Sequence, residues 1–390
     1  MNKKFIAVII FIFLLTVPVF SQDFGLVLNQ KAVFASLGDG YTVSAIPWFA
    51  SPLGKNAGLY LSCGFSVSYE DNEWNSLFEI YRFEAGYTPV DNLTFTLGRQ
   101  NFHDSFGFIM TGLFDGVSIE WGIRGGRLNL GLFYTGLLYK KNVSILLSEK
   151  DLINYFDNDI YFASRRITGG INYEKTSIFD THANFWLSGI FQFDVNDTND
   201  RIHSQYIASK IAVPLTSSLN LQGGGAFSLL QEEEIRFAFA LSADLQLLFP
   251  IGSIPSLFEL GGRYSCGRRD KLAAFTPITG EALGRVLRPN LSGIAIVQSA
   301  YTIRPHHTFF TELYAAYLFR TDTVSFVPND INTESGSPLL GTELCLGFSW
   351  MPFSDIILNL NGGVFLPQKG AFTNDAKLQY RIELTAGISL

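Results

Sequence analysis

The sequence predicts an all-β fold: a transmembrane, antiparallel, up-and-down β-barrel of about 18 strands, with 16 as the smaller alternative, and long external loops. Three observations predict it. Residues 376–390 alternate to the last position, with Leu378, Tyr380, Ile382, Leu384, Ala386, Ile388 and Leu390 on one parity and Lys377, Gln379, Arg381, Glu383, Thr385, Gly387 and Ser389 on the other. A period of two is a strand with one apolar and one polar face, and this one is more than twice the usual globular length of about 5–6 residues. The same alternation recurs along the chain, separated by two alternating kinds of connection. Finally, 47% of residues are hydrophobic and only 16% are charged, against roughly 25% charged in soluble domains. The apolar parity must therefore face lipid.

The N-terminus sets the compartment. Lys3 and Lys4 precede an unbroken apolar run at 5–15, and Val19, Phe20 and Ser21 precede a cleavage placed after Ser21, the pattern of an export signal. The run is too short to span a membrane as a helix, and no Cys follows it, which argues against a lipid anchor. The expected division is a signal peptide at 1–21 and one barrel domain at 22–390, in the outer membrane of a double-membraned bacterium. Without Lys3 and Lys4, 28 basic residues become 26 against 35 acidic, a formal charge of -9. That balance excludes nucleic acid as a partner. The expected partners are outer-membrane lipid, the barrel-assembly machinery and a small-molecule solute.

The strands then follow in order. Weaker alternation near 24–36 and 41–50 opens the barrel, and a clean segment follows at 59–69, where Leu59, Leu61, Cys63, Phe65 and Val67 alternate with Tyr60, Ser62, Gly64 and Ser66. Further segments lie near 76–87, 93–98, 114–121, 127–138, 165–174, 183–193, 204–213 and 219–229. The remainder lie near 235–249, 257–266, 291–303, 308–320, 340–350, 356–366 and 376–390. Between them, short connections, often with Pro, fall at 51–56, 88–92, 122–126, 174–180, 214–218, 250–255, 304–307 and 351–355. The connections between these are mostly longer and more polar, including 99–113, 139–163, 267–290 and 321–338. Outer-membrane barrels have short periplasmic turns and longer external loops, so both termini are expected in the periplasm. Cys63, Cys266 and Cys345 are odd in number and lack metal-ligand spacing, so they read as small hydrophobes.

A barrel of 16 to 18 strands is too wide for side chains to fill. The polar parity should then line a wet lumen, with Arg82, Arg236, Arg263, Arg320, Lys377 and Arg381 facing Glu84, Glu120, Asp194, Asp244, Glu259, Glu312, Glu343 and Glu383. These charges either tune the passage of ions or brace the wall as cross-strand pairs.

The segment GRQNFHDSFGFIMTGLFDG at 98–116 is the candidate constriction. Its apolar run at 106–110 is an unfavourable free surface loop; folded inward, at about 99–113, it would present Arg99, His103, Asp104 and Asp115 to the channel. The next long loop is bracketed by the expected anchors Lys140, Lys141, Arg165 and Arg166. Within it Ser148, Glu149, Lys150 and Asp151 form a capping sequence, with Leu152, Ile153 and Phe156 as one helical apolar face.

The export signal, the alternating strands, LGRQ followed by GLFDG at 112–116, LLYKK at 137–141 and YFASRR at 161–166 together resemble a spirochaete, treponema-like outer-membrane β-barrel family. The resemblance covers most of the mature chain and implies a porin-like architecture. The chain ends in Leu390 where many such proteins end in Phe, which keeps the apolar character. Passive diffusion of small solutes is the function expected. The alternatives are a fatty-acid-type transporter, given the lumen residues Trp186, Ile190, Phe310 and Leu318, or a surface adhesin without transport. His103, His182, His203, His306 and His307 sit in no nucleophile motif or zinc pair, so neither enzymatic activity nor a cofactor or metal is expected.

Overall fold

Eighteen antiparallel strands hydrogen-bond in one closed ring in the computed structural model. It describes residues 22–390 apart from 37, 71, 179–180, 197–200, 233, 270–271, 280–281, 323–331, 333, 335–336 and 373–376. The expected signal peptide at 1–21 lies outside the described residues. The first half of the ring is β1 (Asp23–Ala35), β2 (Gly40–Pro52), β3 (Ala57–Glu70), β4 (Glu73–Val90), β5 (Leu93–His103), β6 (Thr111–Ile123), β7 (Gly126–Tyr134), β8 (Arg166–Ile178) and β9 (Ala183–Asp194). The second half is β10 (His203–Pro214), β11 (Leu219–Gln231), β12 (Ile235–Ile251), β13 (Ile254–Ser265), β14 (Ile294–His306), β15 (Phe309–Arg320), β16 (Leu339–Phe353), β17 (Ile356–Pro367) and β18 (Gln379–Ser389). One short helix, α1 (Glu149–Phe156), interrupts the connection from β7 to β8.

Each strand pairs with its sequence neighbours, and β18 closes on β1 from Val27–Ser389 to Ala35–Arg381. The final residue belongs to that seam: Leu26 and Leu390 exchange both backbone hydrogen bonds at 2.9 Å. Closure leaves no open edge along the seam, the condition for a sheet that must live in hydrocarbon.

Parity behaves as the alternation requires. Tyr380, Ile382, Leu384 and Ile388 of β18 are exposed on the outer face, while Arg381 and Glu383 pair with each other on the inner one at 2.8 Å. Trp121, Tyr87 and Trp350 are exposed close to the short turns, where an interfacial aromatic girdle belongs.

Several strand ends differ from the sequence reading. β5 runs on to His103, and β14 spans Ile294–His306 rather than 291–303. β7 stops at Tyr134, because the chain turns back where Leu138 N–H bonds Thr135 C=O at 3.1 Å. β18 begins at Gln379, so Lys377 precedes the barrel wall and does not line it. The buried apolar cluster lies inside the ring, where the β5–β6 hairpin, residues 138–147 and the β13–β14 connection pack against one another and against inward-facing wall residues such as Tyr206, Ile296 and Leu318. A wide barrel has the room to fold loops inward, and apolar loops exploit it.

Candidate pore constriction

The β5–β6 hairpin leaves the wall halfway up. Its own ladder continues to His103–Thr111, but the β4–β5 ladder ends at Phe83–Arg99 and the β6–β7 ladder ends at Asp115–Tyr134. Beyond Arg99 and Asp115 the hairpin is bonded to neither neighbour and turns into the lumen. Phe102 lands on two glycines paired across β7 and β8, Gly131 and Gly170; a Cβ on Gly170 would collide with the ring. The Ser105 N–H donates to Ser188 Oγ of β9 at 2.8 Å, and Asn172 Nδ2 of β8 donates to His103 C=O at 2.7 Å.

The tip crosses the lumen. Phe106 packs toward Gly224 of β11, and the Arg263 guanidinium of β13 lies 5.2 Å from the Phe108 ring centroid. Thr279 of the β13–β14 connection accepts from Thr111 N–H at 2.8 Å, and Ile278 N–H donates to Ile109 C=O at 2.8 Å. Phe106 is 3% exposed, and Ile109 and Met110 are fully buried. The apolar run therefore gains its burial inside the barrel, at roughly 1.5–3 kcal/mol per large side chain.

Three of the four residues expected to face the channel do something else. Asp104 is buried, its carboxylate accepting from the N–H groups of Gly107, Ile109 and Met110 at 2.7, 2.9 and 2.9 Å. Burial pushes this carboxyl up, opposed by those N–H donors, which favour the charged form. Asp104 thus shapes the tip from within. Arg99 and Asp115 share the parity of Leu97 and Val117, whose side chains are exposed on the outer face. They form a bidentate pair at 2.8 and 2.9 Å where the hairpin departs. The inward fold expected of the apolar run at 106–110 would have presented them to the channel, whereas the register makes them a bracket in the wall. His103 is exposed.

The bracket has a member that parity alone conceals. Glu79 accepts from Arg99 Nη1 and from the Tyr161 hydroxyl. Counting by twos from Arg82 and Glu84 would put Glu79 on the lipid face, but a bulge between Ser62–Arg82 and Cys63–Ile80 adds Tyr81 to β4 and resets the phase. Arg99 also donates to the Leu137 carbonyl at 3.0 Å and to the Ile80 carbonyl. The vacated wall is thus closed by one fully engaged guanidinium, 11% exposed.

A second segment enters the lumen from the β13–β14 connection. Glu343 of β16, fully buried, accepts from the N–H groups of Arg285, Val286 and Leu287 at 2.7, 3.2 and 2.7 Å. This holds the Arg285 guanidinium 4.2 Å from the Tyr314 ring centroid and in an ion pair with Glu312. Glu343 is an anchor rather than a lumen charge. So are Arg320, which donates to Ser337 and Asn332 carbonyls at 2.7 and 2.8 Å, and Asp194, which binds Arg166.

The other expected lumen charges sit mainly in pairs on the inner face. Arg82 meets Glu84 at 2.7 Å, Arg263 meets Asp244 at 2.8 Å, and Arg127 meets Glu120 at 3.5 Å. Lys31 reaches Glu383 across the closing seam at 3.1 Å, and Gln246 donates to Glu259 at 2.8 Å. Arg236 borders a cavity at the loop end of the barrel. Among the described residues, two of the larger spaces lie at mid-height. One, about 410 Å³, lies beneath the hairpin tip beside Lys210, Asp244, Glu259 and Arg263. The other, about 440 Å³, lies beside Lys31, Arg288, Asn361, Arg381 and Glu383.

In the β7–β8 loop, Ser148 and Asp151 form the expected capping box of α1. Lys140 Nζ donates to the helix-end carbonyls of Asn154, at 2.9 Å, and Asp157; burial pushes its amine below the usual range. Arg166, fully buried, bridges Asp151 at 2.6 Å and Asp194 at 3.0 Å. Lys141 makes only a loose contact with Glu70 at 3.6 Å, and Arg165 is exposed. The apolar face expected of the helix is not buried: Ile153 and Phe156 are 62% and 72% exposed. The helix is held by its polar ends instead.

The arrangement is a wide ring partly obstructed by two inward loops, with paired charges around spaces of several hundred Å³. No family model and no curated protein matches the chain. Solved structures do match in fold. The outer membrane protein OprD from Pseudomonas aeruginosa is 13% identical at a TM-score of 0.62, covering 95% of this chain and 93% of that one. OccK5 (OpdH) and opdK from the same organism are each 11% identical at a TM-score of 0.61, covering 95% of this chain and 98% and 99% of theirs. The chain thus has the 18-strand barrel fold of outer-membrane proteins of this kind.

Proposed function

We propose that this protein is an outer-membrane, porin-like channel for passive diffusion of small polar solutes, not an enzyme. The observation that carries the reading is the β5–β6 hairpin, which crosses the lumen to β11 and β13 and leaves open a space of about 410 Å³ beneath its tip and one of about 440 Å³ farther round the wall. A hairpin that narrows a wide barrel without filling it makes a size filter. The outer-membrane setting follows from the apolar outer face and from the fold it shares with OprD and OccK5. The resemblance to spirochaete barrels and the removal of residues 1–21 belong to the same proposal, as do lipid, the assembly machinery and a small solute as partners. The charged and amide-lined spaces favour polar solutes over the fatty-acid-type alternative, which needs an apolar path.

Swelling of proteoliposomes in isotonic solutes of graded size tests it. Entry of small polar solutes, falling steeply with size, is the expected outcome. Liposomes that swell no faster than protein-free ones would remove the channel reading.

A further inference from the structure

We infer that the ion pair between Arg285 and Glu312 divides the lumen into two side-by-side routes, one of which bypasses the inward hairpin altogether. The inference rests on the channel reading and adds a partition that the reading does not require. Arg285 and Glu312 line both mid-height spaces, and they are the residues through which the two spaces adjoin.

The registers show that the spaces are neighbours around the wall, not stages along it. Glu312 pairs with Gly347, Gly347 with Asn361, and Asn361 with Glu383, a single row from β15 to β18 that floors the first space. Tyr314, one inward position further along β15, pairs with Ala300, Ala300 with Glu259, and Glu259 with Gln246, a row from β15 back to β12 that floors the second. Arg285 stands between the rows.

The partition is held at both ends. Its backbone is fixed by the Glu343 carboxylate at 2.7 Å, and its guanidinium by Glu312 and the Tyr314 ring. A side chain tethered this way loses little further entropy in keeping its place. Hairpin residues Phe106, Gly107 and Phe108 line only the space against β10–β15, and none lines the space against β15–β18 and β1. The two also differ in charge. Beside the shared pair, the hairpin side balances Lys210 and Arg263 against Asp244 and Glu259. The bypass side sets Lys31, Arg288 and Arg381 against Glu383.

The test uses the full chain with Cys63→Ser, Cys266→Ser and Cys345→Ala as background. Asn361→Cys places a thiol in the bypass route, and Gln222→Cys or, as a second choice, Ser242→Cys places one in the hairpin route. Each is modified by a bulky uncharged maleimide while single channels are recorded. Two parallel routes give a partial loss from either modification and a near-complete loss from both. The current left after modification at Asn361→Cys should have less anion preference than the starting current. In an Arg285→Ala background either single modification should remove a smaller share. Complete loss from one modification, or no loss from one confirmed complete by mass spectrometry, would overturn the partition while leaving the channel reading intact. A folded background protein with no conductance would remove the channel reading itself.

Discussion

At the scale of residues, the departure of the hairpin from the wall depends on Arg99. Its guanidinium meets two carboxylates and two carbonyls in a nearly closed site, and breaking a buried pair costs about 3–5 kcal/mol because a charge is left behind. Arg99→Ala is therefore expected to lower the temperature at which the folded gel band converts to the unfolded one, with little change in ion selectivity. Glu79→Gln should do the same, and the double variant should cost less than the sum, since both act on one network. A large shift of reversal potential in Arg99→Ala at unchanged stability would return Arg99 to the pore. Asp104 works differently: Asp104→Ala strands three N–H groups, at roughly 1–3 kcal/mol each if they stay buried. Loosening of the tip, read as larger and noisier conductance steps, is the expected result, with Asp104→Asn intermediate because one acceptor oxygen survives.

At the scale of elements, strand existence was legible and strand phase was not everywhere. Every strand lies where alternation is visible in the sequence, because lipid outside and water inside impose opposite demands on adjacent residues. Glu79 escaped because a single added residue, Tyr81, inverts the parity of half a strand, and nothing in the local composition marks the bulge. The inward course of the hairpin was legible from its apolar run at 106–110. The β13–β14 loop was not, since its anchor is a distant carboxylate, Glu343, that parity assigned to the lumen. The last strand carries its own expectation. Leu390 exchanges two hydrogen bonds with Leu26 at the seam, so removal of residues 379–390 should abolish assembly, and Leu390→Asp should impair it far more than a substitution at Asn158, exposed in the β7–β8 loop. Normal yield and protease resistance after loss of that strand would contradict closure through β1 and β18.

The whole molecule has an unusual distribution of burial: an apolar exterior, paired charges on the inner wall, and an apolar core within the lumen where the inward loops pack on one another and on part of that wall. The exterior and the inner wall follow from the period-two pattern, whereas the core depends on contacts between loops far apart in sequence, such as Ile109 with Ile278. Circular dichroism of the detergent-folded protein should be dominated by strand, and the unboiled protein should migrate apart from the boiled one; a helix-dominated spectrum would contradict the barrel. The most direct measurement is single-channel conductance of the parent compared with a variant lacking residues 106–110. Discrete, stable steps from the parent and larger steps from the variant are expected if the hairpin narrows an open lumen. Equal steps from two folded proteins, or no steps from the parent, would contradict it.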